Sequence, residues 1–328
     1  MNKLIVVLYV GVLWSMNKFR MVVTGCWHLA DNPPGRRNSG YADQIFLKIQ
    51  EAINICILSK ADYLVITGDV FHIKSSVRNS HAIVNRLIKI LRGVPCKIII
   101  VPGNHDIVYG TLDCLDKQPL GVVISALQDK IWKECDFDVM PGSANYVGSN
   151  CRENILNFEP SSDILLAHAP IVPDKGVFDA ISADEIAGKW KLVIYGHIHA
   201  QHGIYRVGDT CFVNPGALSR GTISDVSFFN ADMSRKPGVA VVEYCRDTGD
   251  IKTALLYCSS ALPVAEVFRI EEYKEEKQKR LDADQFLSEL NEVVFSSLSP
   301  ELLSSRIKDM NLDEGVKSAA LEIVEGLK

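Results

Sequence analysis

Val101-Pro102-Gly103-Asn104-His105-Asp106 is the stretch from which the fold of this chain is best inferred. It closes the apolar run at residues 98–101, so it lies where a buried strand is predicted to end. Loops at the strand ends of an α/β sheet present side chains to ligands. Asn104 offers an amide oxygen, and His105 offers an imidazole that can exchange protons near neutral pH. Taken alone, the stretch is equally compatible with a polar turn after a core strand.

Upstream of this stretch, apolar runs alternate with helical periodicity. Residues 19–24, 63–67 and 97–101 are predicted strands, and residues 41–58 and 79–91 are predicted amphipathic helices. A β-α-β-α-β order is typical of a largely parallel sheet with functional residues at its carboxyl edge.

Downstream, the pattern is weaker between residues 112 and 157, where 122–127 is a helix candidate. Further strands are predicted at 163–167, 191–195 and 210–213. Residues 237–245 and 251–257 are predicted to form a β-hairpin. The charged run at 271–280 indicates a solvated helix face or a linker, and the rest of the tail has helical spacing. Four segments are therefore expected: an extension 1–15, a core 16–230, a hairpin 231–270 that completes the core or caps it, and a helical appendage 271–328.

The extension resembles a short signal-peptide core but lacks a small-x-small cleavage site. Met16 precedes the first strand directly, so we expect it to be the natural start, with an export signal as the alternative.

Composition describes an ordinary globular protein. The chain has 328 residues, 47% hydrophobic and 23% charged, and a net charge of -5, which excludes a globally basic nucleic-acid coat but not a local basic contact. Its nine cysteines are scattered without a CxxC pair, which argues for reduced thiols and a cytoplasmic location. The apolar run Leu4 to Leu13 is too short for a membrane-spanning helix, so no membrane association is expected.

Metal-binding side chains follow several of the predicted strands. Carboxylate, amide and imidazole groups at one sheet edge suit a pair of divalent ions, which clamp a phosphate and lower the pKa of a water. Asp69 is the natural bridging ligand. The candidates are Cys26, His28, Asp69, Asn104, His105, His168, His197 and His199.

The order of these motifs, GD, GNHD, a single His and GHIH, resembles that of the calcineurin-like metallophosphoesterases over residues 19–258. The resemblance implies a four-layer αββα sandwich with two metal ions, most often Mn²⁺. It implies that His28, Asp69 and His199 hold one ion, and that the other is held by Asp69, Asn104, His168 and His197. It further implies that His105 protonates the leaving oxygen and that Asp106 orients His105.

Within that family, Gly68-Asp69-Val70-Phe71-His72 and Asn214-Pro215-Gly216-Ala217-Leu218-Ser219-Arg220 resemble segments of SbcD-type DNA exonuclease subunits. That resemblance implies DNA as substrate and an SbcC-type ATPase docked on the tail helices. A truncation at Arg280 that leaves both folding and partner binding unchanged would contradict the docking. A homodimer is an open alternative. Residues near the ligand loops are candidates for holding the DNA backbone: Arg36, Arg37, Lys74 and Arg78.

One position departs from the family pattern. Cys26 stands where the first motif, Asp-x-His, has its aspartate. A thiolate can bind metal and favours Zn²⁺ or Fe²⁺ over Mn²⁺. Alternatively, the first site is weakened, and the chain is a binding subunit with low or no activity. A small-molecule phosphodiesterase or phosphatase of the same fold is a third reading, since fold does not decide substrate.

Overall fold

The computed structural model describes residues 17–75, 78–108, 112–132, 137–142, 150–174, 180–221, 236–295, 300–310 and 312–325. The expected extension 1–15 lies outside the described residues. The chain divides into two compact units, Met1–Val267 and Phe268–Lys328.

The described elements alternate between strands and helices. The strands are β1 (Lys18–Thr24), β2 (Tyr63–Ile66), β3 (Lys97–Ile100), β4 (Asp138–Met140), β5 (Ile164–Ala169), β6 (Ile171–Val172), β7 (Ile181–Ser182), β8 (Leu192–His197), β9 (Gly203–Val207), β10 (Thr210–Asn214), β11 (Gly238–Cys245) and β12 (Ile251–Tyr257). The helices are α1 (Tyr41–Ser59), α2 (His81–Arg92), α3 (Pro119–Ala126), α4 (Asn150–Leu156), α5 (Ala183–Ile186), α6 (Val264–Val267), α7 (Ile270–Phe295), α8 (Pro300–Asp309) and α9 (Glu314–Glu325).

Two five-stranded sheets form the first unit. Their strand orders are β12-β11-β1-β2-β3 and β4-β5-β8-β10-β9. In the first sheet β1, β2 and β3 are parallel, while β11 pairs antiparallel with β1 and with β12. In the second sheet β4, β5, β8 and β10 are parallel, and β9 is an antiparallel edge. The carboxyl ends of the parallel strands in each sheet therefore meet at one edge.

Three apolar clusters make the layers. One cluster joins the facing sides of the two sheets through residues such as Val23, Val65 and Ile194. A second packs α1, α2 and α3 on the outer face of the first sheet. A third covers the outer face of the second sheet and includes Ile155 of α4 and Ile186 of α5. This is the αββα sandwich predicted from the sequence.

Local sequence accounts for the helices that flank the first sheet. α1 buries one stripe of residues with helical spacing, including Ile45, Ile49 and Ile53. α2 begins after Ser80, whose hydroxyl accepts a hydrogen bond from the Ile83 backbone N–H. Asp31 in turn accepts hydrogen bonds of 2.6 Å from the backbone N–H and the hydroxyl of Ser80.

The second unit is helical. Its buried cluster draws on α7, α8 and α9 through Phe286, Leu303, Ile307, Ala320 and Val324. The charged run at 271–280 lies within α7, so it is a helix face rather than an irregular linker. No helix in the described part of the chain is long and apolar enough to cross a membrane.

Candidate metal centre

The loops after β1, β2, β3 and β8, together with the carboxyl ends of β5 and β8 themselves, bring the predicted strand-end residues together. In each of two groups, the potential ligand atoms lie within 4.8 Å of one another. One group consists of Cys26, His28, Asp69 and His199, and the other consists of Asp69, His168 and His197.

Asp69 belongs to both groups. Its Oδ2 lies 3.5 Å from His28 Nε2 and 3.4 Å from His168 Nε2, while its Oδ1 accepts a 2.9 Å hydrogen bond from the His105 backbone N–H. Burial opposes ionisation of Asp69, but His168 beside it holds its pKa well below the usual range. A charged carboxylate with one oxygen between two imidazoles has the arrangement that a bridging ligand requires.

The second group gathers an imidazole nitrogen and two oxygens. His168 Nδ1 lies 2.7 Å from the Thr67 carbonyl oxygen and donates to it, so its Nε2 faces Asp69 Oδ2 and, at 3.1 Å, Asn104 Oδ1. Burial alone lowers the pKa of His168, but the Asp69 carboxylate outweighs it and the net pKa is raised, which favours a proton on Nε2 between these atoms. A divalent ion that displaces this proton would fit the same nitrogen and oxygens.

The first group also gathers side-chain atoms that can bind one divalent ion. His28 Nε2 and His199 Nε2 are 2.9 Å apart, and Asp69 stands beside them. Burial lowers the pKa of His28 well below its usual value, so the ring is neutral and a nitrogen lone pair is available. His28 Nδ1 is buried without a hydrogen-bond partner among the described residues. Two imidazole nitrogens and a carboxylate oxygen suit one divalent ion.

Cys26 is 1% exposed, and its Sγ accepts a 3.3 Å hydrogen bond from the His197 backbone N–H. Burial and then the charge of Asp69 raise the pKa of the Cys26 thiol well above its usual value. A divalent cation beside Cys26 would lower the pKa of its thiol again, because a thiol that coordinates a metal ion is deprotonated.

His105 has a neighbour that the sequence analysis did not assign to the site. His105 Nδ1 lies 2.6 Å from the His72 carbonyl oxygen, and the two rings stack with centroids 5.4 Å apart. Ligand atoms of His28, His72 and His105 also form a close group. The position of His72 three residues after Asp69 was the available signal, since both lie in the loop after β2.

Asp106 has different partners from those expected. It is 1% exposed and accepts hydrogen bonds from the backbone N–H groups of Gly103 (2.9 Å), Val70 (3.1 Å) and Phe71 (3.1 Å). The His105 ring is instead oriented by the His72 carbonyl. Burial and Asp69 raise the pKa of Asp106 to about 6. Asp106 therefore ties the loop after β2 to the loop after β3.

Glycine precedes a ligand candidate in four loops. A Cβ on Gly68 would overlap the His168 ring, and a Cβ on Gly103 would overlap Asp69. On Gly25 it would overlap the Gly216 carbonyl, and on Gly196 the Thr67 carbonyl. The backbones of the two sheets are therefore in direct contact at these glycines, with no room for a side chain between them.

Three of the candidates also have left-handed backbone conformations: φ is 51° at His28, 47° at Asp69 and 80° at His197. Such conformations cost about 1–3 kcal/mol per residue and are typical of functional sites.

Lys48 is linked to the loop of Cys26 through the backbone of Leu218. It is 5% exposed, and its Nζ donates a 3.0 Å hydrogen bond to the Leu218 carbonyl, while the Leu218 N–H donates to the Cys26 carbonyl at 2.9 Å. Burial lowers the pKa of Lys48 to about 7, and Arg37 and Arg220 act in the same direction.

The titration of Lys48 predicts a pH dependence of stability. Between pH 7 and about 10 the unfolded chain binds a proton at Lys48 that the folded chain does not, so stability rises with pH in this window, on the order of 1 kcal/mol per pH unit from this group. We expect Lys48→Met to remove this rise. Urea unfolding at pH 7, 8 and 9 measures it, with the exposed Lys89→Met as control. Parallel profiles for Lys48→Met and the wild type would contradict the assignment.

The predicted DNA contacts differ in accessibility. Arg37 is 7% exposed, hydrogen-bonded to the Gly221 carbonyl and stacked over the Tyr41 ring, a buried position that does not favour its expected role in holding DNA. A charged loop residue is usually exposed, and the contacts with the Gly221 carbonyl and the Tyr41 ring help to explain its burial. Arg36 and Lys74 are half-buried, and Arg78 is exposed.

Comparisons with known proteins identify the family. A family profile described as calcineurin-like phosphoesterase matches residues 19–201. Among solved structures, TT1561 of Thermus thermophilus is similar at 12% identity over 72% of this chain and 98% of that chain, with a TM-score of 0.42. A dimetal phosphatase from Danio rerio matches at 12% identity over 74% and 99%, with a TM-score of 0.41. Vps29 of Chaetomium thermophilum matches at 13% identity over 73% and 97%, with a TM-score of 0.31.

The profile match spans more than half of the chain and contains every candidate ligand described above. The chain belongs to the calcineurin-like phosphoesterase family.

Proposed function

We propose that this chain is a metal-dependent DNA nuclease of SbcD type that hydrolyses phosphodiester bonds. Family membership supports the coarser activity, metal-dependent hydrolysis of phosphoesters. The DNA nuclease proposal is supported by the position of His72, the last residue of the SbcD-like motif. The His72 ring stacks on that of His105, and its backbone carbonyl accepts a hydrogen bond from His105 Nδ1. The SbcC-type ATPase partner and the homodimer stay predictions from the resemblance.

The proposed roles follow from the contacts. Two divalent ions, when bound, would lower the pKa of a water and neutralise phosphate charge. Asp69 would be shared between them, with His28 and His199 on one side and Asn104, His168 and His197 on the other.

His105 is the proposed general acid. Its backbone is fixed by Asp69 Oδ1 at 2.9 Å, and its Nδ1 is engaged by the His72 carbonyl. Nε2 is therefore the ring nitrogen that is left to deliver a proton to the leaving oxygen. The half-buried position of His105 leaves it accessible to a substrate.

The test uses the full chain with Mn²⁺ and two substrates, linear duplex DNA and bis(p-nitrophenyl) phosphate. We expect both to be hydrolysed and DNA binding to weaken steeply with salt, because phosphate contacts release counterions. Arg78→Ala should lower the salt slope by about one. Intact DNA beside a hydrolysed small ester would contradict the nuclease and favour a small-molecule phosphodiesterase.

A further inference from the structure

We propose that the Cys26 thiolate is a ligand of the first metal ion and makes that site selective for a thiophilic divalent ion, Zn²⁺ or Fe²⁺, over Mn²⁺. The inference rests on the proposed two-ion centre and names the class of ion that one of its sites takes.

The geometry of the four donors fits one ion. The ligand atoms of Cys26, His28, Asp69 and His199 all lie within 4.8 Å of one another. Bond lengths of about 2.0 Å to nitrogen or oxygen and about 2.3 Å to sulfur place the ligands of a tetrahedral ion roughly 3.3–3.8 Å apart. To coordinate one ion through one sulfur, two nitrogens and one oxygen, the two imidazole nitrogens, 2.9 Å apart, would separate slightly, and any wider-spaced donor atoms would move closer together.

The hydrogen bonds around Cys26 are also those expected of a metal-binding cysteine. The His197 N–H donates to Cys26 Sγ at 3.3 Å, and hydrogen bonds of this kind tune metal-bound sulfur. The Leu218 N–H bond to the Cys26 carbonyl holds the backbone in place. Both contacts would fix the Cys26 sulfur in position before an ion arrives.

Cys26 is buried beside polar ligand candidates rather than in an apolar cluster. Among the other buried cysteines, Cys56 and Cys258 lie in the cluster beneath α1 and α2, Cys211 lies in the cluster between the sheets, and Cys245 lies outside these clusters. Cys26 is as deeply buried, yet it belongs to none of the apolar clusters formed by the described residues. Its thiol faces His28, Asp69 and His199 instead.

The two ligand groups differ in the type of metal ion that they favour. Sulfur is a soft donor and favours Zn²⁺ or Fe²⁺, whereas the second group offers an amide oxygen, a carboxylate and imidazoles, which also suit Mn²⁺. A centre with one thiophilic ion and one harder ion follows.

The experiment is spectroscopic. The metal-free full chain is titrated with Co²⁺ alone to look for a sulfur-to-cobalt charge-transfer band. The Zn²⁺-loaded chain is measured by X-ray absorption for a sulfur shell at about 2.3 Å, distinct from nitrogen and oxygen near 2.0–2.1 Å. We expect both signals in the wild type and neither in Cys26→Ser, together with a loss of Zn²⁺ affinity of more than about 100-fold.

Two further variants separate the outcomes. Cys211→Ala, which removes a buried thiol outside the site, should keep both signals. Cys26→Asp should lose both signals while still binding two ions, with its preference moved toward Mn²⁺. Two bound ions without a sulfur signal in the wild type would overturn the inference and leave the two-ion centre standing. A wild-type chain that binds no ion would overturn both.

Discussion

Replacing Asp69 with asparagine is expected to lower the rate of phosphodiester hydrolysis by about 10³-fold or more and to reduce the metal content to one ion per chain or none. The reason is the position of Oδ2, 3.5 Å from His28 Nε2 and 3.4 Å from His168 Nε2, where only a charged oxygen can serve both groups. Asparagine keeps an acceptor for the His105 N–H, so the loop itself should persist. Elemental analysis and the rate with bis(p-nitrophenyl) phosphate are the two measurements.

Asp31→Asn is the matched control. Asp31 is an exposed carboxylate three residues after His28, and its partner is Ser80 at the start of α2. We expect this variant to keep two ions and the wild-type rate, with a small loss of stability. If Asp69→Asn also keeps both ions and the full rate, Asp69 does not bridge the centre.

Replacing Asp106 with asparagine is expected to destabilise the chain by about 2–5 kcal/mol, because a carboxylate that accepts hydrogen bonds from three buried N–H groups is exchanged for an amide with one acceptor oxygen and one N–H₂ donor. At least one of the Gly103, Val70 and Phe71 N–H groups would then face an N–H₂ group. The same change moves the loops that carry Asp69 and Asn104, so the hydrolysis rate should fall as well. Thermal unfolding and rates measured well below the transition report the two effects.

The buried Asp138 provides the comparison. It accepts hydrogen bonds from the Ser161 N–H at 3.1 Å and from Trp190 Nε1 at 2.7 Å, in the second sheet and outside the two ligand groups. Asp138→Asn should lower the unfolding temperature by a comparable amount without changing the hydrolysis rate of the folded protein. An Asp106→Asn variant that unfolds at the wild-type temperature would contradict the role of Asp106 as the link between two loops.

The sequence predicts the sheet edge well because the pattern there is local. An apolar run that ends in glycine and a polar residue identifies both the strand and the loop, and the observed strands β1, β2 and β3 end within one residue of the predicted positions. The short strands β6 and β7 and the edge strand β9 were not predicted. Two-residue strands carry no detectable period, and β9 is half-buried with no clear alternation.

Roles that depend on long-range contacts were harder to predict. Arg37 in a Pro- and Gly-containing loop has the sequence context of an exposed cation, but it is buried and hydrogen-bonded to the Gly221 carbonyl, 184 residues away. Likewise, nothing near Asp106 in the sequence shows that two of its N–H donors come from the loop after β2. Side-chain identity predicts which chemistry is available, whereas partner identity requires the fold.

The glycines at Gly25, Gly68, Gly103 and Gly196 bear on how this protein can evolve. Because a Cβ at any of them would overlap the opposing loop or a ligand candidate, we expect selection to reject even alanine at these four positions. Changes in substrate preference are then expected to arise mainly in the surrounding loops, which tolerate insertion and exchange.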